Sequence, residues 1–418
     1  MQHIHYKNNE LYCENVAVKK IAERFGTPVY IYSQQAFIDR YKELKNAFTK
    51  ITPLICYSVK ACSNVAILRL LVKQGAGLDI VSGGELFRAA RAKCPMARVV
   101  FAGVGKTPDE VSAAIRHKIL FFNVESEPEL ARINAVARSL RRTVNIALRL
   151  NPDVESHTHH YITTAKKENK FGIDFASARR IFARQGKYPN VRIKGIHLHV
   201  GSQLTRVSPF VNALKKTMAF IDSLGTLCSI DTINIGGGVG IVYDQERTLS
   251  LKEYAAGIER IIVPRGYDLI LEPGRFIAGN SGIFVTEVQY VKKTTGKRFL
   301  IVDGAMNDLV RPTLYQAYHE IVPVTKRRGR KALVYDIVGP ICESGDFFAK
   351  KRKVQEMHPD ELLALKSAGA YGFSMSSNYN SRGRAAEVLV SGTRAHPIRS
   401  REEYATLLKG EILPTHLK

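Results

Sequence analysis

Tyr57-Ser58-Val59-Lys60-Ala61-Cys62-Ser63-Asn64 closes the short apolar run Pro53-Leu54-Ile55-Cys56-Tyr57 and opens a helical pattern near Asn64. A brief apolar run bounded by turn residues reads as a buried strand, and Asn is a favoured helix N-cap. The unit is therefore strand, loop, helix, and from Gln34 onward the chain repeats it. The strands predicted are Leu54–Val59, Leu78–Val81, Val99–Ala102, Phe121–Val124, Asn145–Leu150, Ile193–Val200, Thr232–Ile235 and Leu269–Leu271. Between them lie amphipathic stretches. One opens with Thr107-Pro108-Asp109-Glu110, a capping box with proline at the first helical position, and another with Ser126-Glu127-Pro128-Glu129. Eight strands, each followed by a helix-length segment, predict an α/β chain built on a (β/α)8 barrel over 34–280. An open doubly wound sheet shares the alternation, but the count favours closure.

The flanks follow a different period. Residues 1–33 read as a hairpin around Asn8-Asn9, a short helix ending at Gly26, and a strand over Val29–Tyr32. Past Gly279, Ile283–Val291 and Phe299–Val302 flank Thr294-Thr295-Gly296 as a hairpin, and Ala332–Val338, Leu362–Lys366 and Glu387–Val390 continue in strands. A second, β-rich domain of 281–418, joined by 1–33, is expected to complete the active site.

The chain has 418 residues, 45% of them hydrophobic, which suffices for two domains with sizeable cores. No apolar run approaches the ~18 residues of a transmembrane helix, and the N-terminus lacks the apolar core of a signal peptide. The six cysteines (Cys13, Cys56, Cys62, Cys94, Cys228, Cys342) follow neither a disulfide nor a zinc spacing, so a cytoplasmic chain with reduced thiols is expected. The net charge of +24 raises the question of nucleic acid. The basic residues are scattered over Arg88–Lys93, Arg138–Arg142, Lys166–Lys170, Lys326–Lys331 and Lys350–Lys353. No aromatic-interleaved stripe accompanies them in the sequence, so solvated surfaces are the better reading and nucleic acid is not expected.

In a barrel the chemistry sits at the C-terminal ends of the strands. The first strand ends at Lys60, and a lysine held at the exit of a buried strand, desolvated with a lowered pKa, suits a Schiff base. The second ends in Asp79-Ile80-Val81-Ser82-Gly83-Gly84, and the sixth in His197-Leu198-His199-Val200-Gly201-Ser202-Gln203. The seventh runs into Gly236-Gly237-Gly238-Val239-Gly240, and the eighth into Glu272-Pro273-Gly274-Arg275. Three glycines allow backbone N–H groups to approach a phosphate, and the loops after strands seven and eight are the usual barrel phosphate site. With Arg275 and Ser202 beside them, a phosphate cradle is predicted. A lysine, a phosphate cradle and a carboxylate are the parts that pyridoxal phosphate requires. Glu272 could pair with the ring nitrogen or form an ion pair with Arg275. His199 could lie flat on the ring or be a hydrogen-bonded core residue.

The chain resembles the diaminopimelate decarboxylases, within the alanine-racemase-like (fold type III) pyridoxal-phosphate decarboxylases. The resemblance covers most of 25–395. The wider group is marked by Tyr57–Ala61, Val81–Leu86, Lys170-Phe171-Gly172, His199–Gln203, Gly236–Gly238 and Glu272–Arg275. The narrower one is marked by Met306–Tyr315, Gly339–Asp346 and Gly369–Asn380. The resemblance implies that Lys60 forms the Schiff base, that His199 stacks on the ring and that Glu272 holds the pyridinium nitrogen. It implies that Ser202, Gly236, Gly237, Gly238, Arg275 and Tyr371 surround the phosphate, with Pro273 and Gly274 in the same loop. Arg275, Arg311, Tyr315, Glu343 and Tyr371 are implied in substrate binding. Cys342, from the partner subunit of a homodimer with shared sites, is implied as the general acid. Meso-2,6-diaminopimelate carries an amino-acid group at each end. Arg311 can grip the distal carboxylate bidentately and Glu343 can take the distal ammonium. In other contexts Arg311 would be a surface ion pair and Cys342 a small buried hydrophobe.

Several positions depart from the family pattern. Cys62 stands where Asn is usual, Ala165 where glycine is common, His160 where proline is common, and Asp303-Gly304-Ala305 inverts Asp-Ala-Gly. The histidines of 157–160 lack partners at metal-ligand spacing, so no metal is expected and 157–165 reads as a rim loop. The expected reaction is pyridoxal-phosphate-dependent decarboxylation of meso-2,6-diaminopimelate to L-lysine, the last step of lysine biosynthesis. The competing readings are a decarboxylase of ornithine, arginine or carboxynorspermidine, a catalytically silent cofactor-binding protein, and a nucleic-acid binder.

Overall fold

The computed structural model describes residues 3–154, 170–227 and 229–417. The expectations for the 157–165 loop, including Ala165 and His160, and for Cys228 lie outside them. The chain divides into two compact units, 37–277 and 1–36 with 278–418.

The first unit is a closed parallel barrel of eight strands. They are β1 (Leu54–Ser58), β2 (Gly77–Ile80), β3 (Val99–Phe101), β4 (Phe121–Val124), β5 (Val144–Arg149), β6 (Val191–His197), β7 (Thr232–Asn234) and β8 (Asp268–Leu271). Pairing of Ile270 with Leu54 and Leu271 with Ile55 closes β8 onto β1. Strands covered on both faces carry near-continuous apolar runs, and β2, β3 and β4 are buried at every position. Inside the barrel, Cys56, Val100, Phe121, Ala147 and Ile270 form one packed cluster. The helices start where the sequence supplies caps. Asn64 accepts from Ala66 N, and Ser82, Ser126, Asp174 and Ser250 cap in the same way. Thr107 and Glu110 form the predicted capping box.

One connection between strand ends is held by buried charge. Lys106 Nζ donates to Glu129 Oε1 (2.6 Å), Gly103 O (2.7 Å) and Asn123 O (2.9 Å), with both side chains shielded from solvent. Glu129 also accepts from Glu125 N at 2.7 Å, tying the loop after β4 to the loop after β3.

The second unit is a mixed sheet. Its main path runs Phe347–Gln355, Ala332–Val338, Lys297–Val302, Gly282–Thr294, Val29–Ser33, Ala386–Ser391, Arg394–Arg399. Ile321–Pro323 pairs with Leu362–Leu365, which pairs with Gly282–Thr294. The N-terminal hairpin turns at Asn8 and Asn9 with φ of 51° and 65°, the left-handed values that a two-residue turn demands. Val29, Ile31, Ile283, Val285, Val388 and Val390 pack with Leu11 and Ile21 in its core. The strand Phe347–Gln355 is absent from the sequence-based expectation. Its Lys350-Lys351-Arg352-Lys353 segment reads as a solvated run, yet alternate residues Phe348 and Val354 are buried.

Among the described residues no helix is long and apolar enough to cross a membrane. Removing one partner of the buried Lys106–Glu129 pair should cost about 3–5 kcal/mol. Lys106→Ala is thus expected to lower the urea midpoint strongly. Lys19→Ala, which breaks a half-exposed pair with Glu23, should barely move it.

Candidate active site

The C-terminal ends of the barrel strands gather a buried polar cluster around one carboxylate. Glu272, following β8, accepts from Asn123 Nδ2 (2.9 Å, β4) and Asn234 Nδ2 (2.6 Å, β7) at Oε1, and pairs with His197 Nε2 (3.0 Å, β6) at Oε2. Burial alone would raise its pKa. The charge and hydrogen bond of His197, the Asn234 bond and the nearby Lys60 outweigh burial and hold Glu272 below the usual carboxylate range. It is therefore an anion at neutral pH. Arg275 is engaged elsewhere, donating to Tyr243 OH (2.6 Å) and Ser202 Oγ (3.1 Å).

Lys60 lies in a short helical turn, Val59–Ala61, directly after β1. Its surroundings correct the sequence-based expectation of a desolvated ammonium. The side chain is 45% exposed, and Nζ lies 4.0 Å from Oδ2 of Asp79, which is 1% exposed. The same oxygen accepts a short bond from Ser58 Oγ, while Oδ1 has no partner among the described residues. Burial, then the Glu272 charge, push the Asp79 pKa up, against Lys60 and the Ser58 bond. Two carboxylates flanking one lysine are thus driven in opposite directions, Glu272 towards the anion and Asp79 towards the acid.

The glycine run after β7 is built for close approach. Gly236 and Gly238 have φ of 66° and 115°, where side chains are strained. A Cβ on Gly236 would strike Leu198 O, one on Gly237 would strike Glu272 O, and one on Gly238 would stand 2.5 Å from Gly201 O. Gly237 N donates to His199 Nδ1 at 3.3 Å, and Gly236 N to Asn234 Oδ1 at 2.9 Å. Burial, then Arg149, Lys60 and His197, hold the His199 pKa well below its ordinary value, so the ring is neutral. Ser58 N donates to Pro273 O at 3.0 Å, joining the β1 exit to the loop Glu272-Pro273-Gly274-Arg275. This donor set fits pyridoxal phosphate. Backbone N–H groups, Ser202 and a guanidinium suit a phosphate, an oriented anion suits a protonated ring nitrogen, and an amine suits an aldehyde.

The second unit holds the other predicted residues, in three loops stapled together. Asp346 accepts from Met306 N and Ile341 N, both at 2.7 Å, and Thr313 Oγ1 donates to Gly345 O at 2.6 Å. Asn307 and Ser377 exchange bonds, with Ser377 N donating to Asn307 O at 2.9 Å and Asn307 Nδ2 to Ser377 O at 3.3 Å. Cys342 N donates to Asn380 Oδ1 at 3.1 Å. The motifs Met306–Tyr315, Gly339–Asp346 and Gly369–Asn380, far apart in sequence, are therefore one surface. On it Arg311 is buried with its guanidinium 5.9 Å from the Tyr315 ring centre, and Cys342 and Glu343 are exposed. The Glu343 charge and its hydrogen bond raise the pKa of Tyr379. Tyr371 has a left-handed φ of 56°.

Sequence reasoning missed Asn123, Asn234 and Tyr243 as parts of the barrel site. The first two carried a signal, a lone amide inside a buried apolar strand, which must find a partner. Tyr243, in an irregular loop, carried none.

Because Asp79 has a raised pKa when folded, the unfolded state releases that proton first, and stability falls as pH rises through neutrality. Asp79→Asn keeps an acceptor for Ser58 without the charge. Its thermal midpoint is expected to gain on the parent's between pH 5 and pH 8. A gain that shrinks as pH rises would show an ionised Asp79.

Comparison with known proteins agrees with this geometry. Residues 34–279 match the family described as "Pyridoxal-dependent decarboxylase, pyridoxal binding domain". A diaminopimelate decarboxylase of Pseudomonas fluorescens is 46% identical, over 99% of each chain. The crystal structure of the M. jannaschii diaminopimelate decarboxylase in complex with L-lysine superposes with a TM-score of 0.94, at 36% identity and 99% coverage of both chains. That of the Helicobacter pylori enzyme with L-lysine gives 0.90, at 39% identity, covering 94% of this chain and 98% of the other. With the Lys60 turn, the Glu272 cluster and the three stapled motifs all in place, the chain belongs to the diaminopimelate decarboxylase family of pyridoxal-dependent decarboxylases.

Proposed function

We propose that the chain removes carbon dioxide from meso-2,6-diaminopimelate to give L-lysine, as the final step of lysine biosynthesis, working as a cytoplasmic homodimer with shared sites. The observation that carries this reading is the near-end-to-end match to a diaminopimelate decarboxylase. The five described cysteines are free thiols, which fits a reducing compartment.

Pyridoxal phosphate supplies the electron sink for the pair left on the α-carbon when carbon dioxide departs. The chain's residues do the rest. Lys60 offers the amine that holds the cofactor, and Asp79 beside it is an acid poised to exchange a proton with that amine. Glu272, kept ionised by His197, Asn123 and Asn234, holds a proton on the ring nitrogen. Gly236, Gly237 and Gly238, with Ser202, Arg275 and Tyr371, take the phosphate, and neutral His199 presents a flat face without competing charge. Arg311 and Glu343 divide the distal end of the substrate between carboxylate and ammonium, with Arg275, Tyr315 and Tyr371 around it. Cys342, contributed by the second copy, returns the proton to the α-carbon. Its exposure and that of Glu343 in a single copy support that assignment.

Three variants separate these roles. Lys60→Ala should abolish covalent fixation of the cofactor by borohydride; retained fixation would place the attachment on another lysine. Cys342→Ala is expected to lower kcat by about 10²–10⁴-fold, the range of a lost general acid, with little change in KM. Arg311→Met should lower kcat/KM for diaminopimelate by about 10–100-fold, the worth of a charge-assisted bidentate contact. An unchanged value would remove Arg311 from substrate binding.

A further inference from the structure

The site above uses little of the +24 charge, and part of the rest lies on one face of the second unit's sheet. Four strands lie side by side there, Gly282–Thr294, Lys297–Val302, Ala332–Val338 and Phe347–Gln355. Their register pairs Tyr290 with Ile301, Lys292 with Phe299, Thr294 with Lys297, Phe299 with Asp336, and Val334 with Lys353. Directly paired residues share a face, as do residues two apart on a strand. One face therefore presents Tyr290, Lys292, Lys297, Phe299, Val334, Asp336 and Lys353. The opposite face presents Leu300, Val302, Tyr335, Ile337 and Val354, all buried.

The first face is thus open to solvent. Tyr290 is 68% and Val334 50% exposed, and the three lysines are exposed. Tyr290 makes no ring or cation contact among the described residues, whereas Phe299 is half-buried with Lys297 Nζ 6.0 Å from its ring centre. At the hairpin end the face runs into a cleft of about 460 Å³ lined by Lys293, Lys297, Arg298 and Lys351. The one carboxylate in that lining, Asp336, is already engaged, by Lys297 Nζ at 3.3 Å and Lys351 N at 2.7 Å. The basic loop Lys326–Lys331 is clamped onto the far end of the strand bearing Lys353. Arg327 N donates to Gln355 Oε1 and Gln355 Nε2 to Arg327 O, and Glu356 N donates to Lys331 O.

We propose that this sheet face binds single-stranded nucleic acid, with Lys292 and Lys353 on phosphates and Tyr290 stacking on a base. Exposed lysines beside an exposed ring on a sheet face are an arrangement that captures unpaired bases. A duplex hides its base faces and could use only the charge. Tyr290 and Lys292 share one hairpin with Lys297 and Phe299, and strand pairing adds Lys353, far along the chain, to the same face.

The test is fluorescence anisotropy of a labelled twelve-nucleotide oligouridylate with the full-length, cofactor-loaded protein between 50 and 200 mM salt. Binding is expected near the micromolar range, with log K falling on log salt by ~0.7 per phosphate neutralised. Tyr290→Ala should weaken it about five-fold or more at an unchanged salt slope. Lys292→Gln with Lys353→Gln should reduce the slope by ~1.4. Decarboxylation should be unaffected in both variants. Four results would overturn the proposal: no binding at 50 mM salt; a twelve-base-pair duplex bound as tightly, with Tyr290→Ala silent; equal competition by polyglutamate; or an altered sedimentation coefficient in Tyr290→Ala, which would make the face an interface between copies.

Discussion

The barrel site depends on keeping one charge out of water. An isolated carboxylate buried as Glu272 is would take up a proton, since the desolvation cost of the anion amounts to several kcal/mol. It stays ionised because Asn123, His197 and Asn234 reach it from three strands of the barrel. Those donors converge only when β4, β6, β7 and β8 hold their places in a closed sheet. The tight backbone crossings at Gly236 and Gly237 bring the neighbouring loops within reach. Fold and chemistry are thus coupled through one hydrogen-bonded anion.

The same field divides labour between acids. Asp79 feels burial and the Glu272 charge, with only Ser58 and Lys60 to offset them, and it is driven towards its neutral form. Pairs of titratable groups pushed apart in this way mark where protons are held and exchanged. Lys60 therefore stands half-exposed beside an acid held towards its neutral form rather than in a dry apolar slot. In the second unit, Asp346, Thr313 and Asn307 do for the loops that carry Arg311, Cys342 and Tyr371 what the Glu272 cluster does for the barrel. They fix exposed functional groups, Cys342 and Glu343, on a surface whose backbone is tied at several points.

Much of this was legible in the sequence because it follows from local rules. Apolar runs located all eight barrel strands, caps such as Thr107 and Ser126 located helix starts, and the Asn8-Asn9 and Gly296 turns located hairpins. The strand Phe347–Gln355 was hidden because its lysines face solvent while Phe348 and Val354 face inward, so charge masked the alternation. Asn123 and Asn234 stood out as lone amides in apolar strands, but their shared partner Glu272 lies more than thirty residues from either. The environment of Lys60 was misjudged for a similar reason. The strand ending at Ser58 is largely buried, but the turn that follows lifts the lysine out beside Asp79, and that depends on β2 rather than on β1. Likewise Lys353 reaches the face of the Tyr290–Phe299 hairpin only through strand order.

The most direct test of the functional account is product analysis with purified protein and added pyridoxal phosphate, supplying meso-2,6-diaminopimelate, ornithine and arginine separately. The account predicts carbon dioxide and L-lysine from diaminopimelate alone, because only that substrate offers both a distal carboxylate for Arg311 and a distal ammonium for Glu343. Release of carbon dioxide from ornithine or arginine, with none from diaminopimelate, would contradict it.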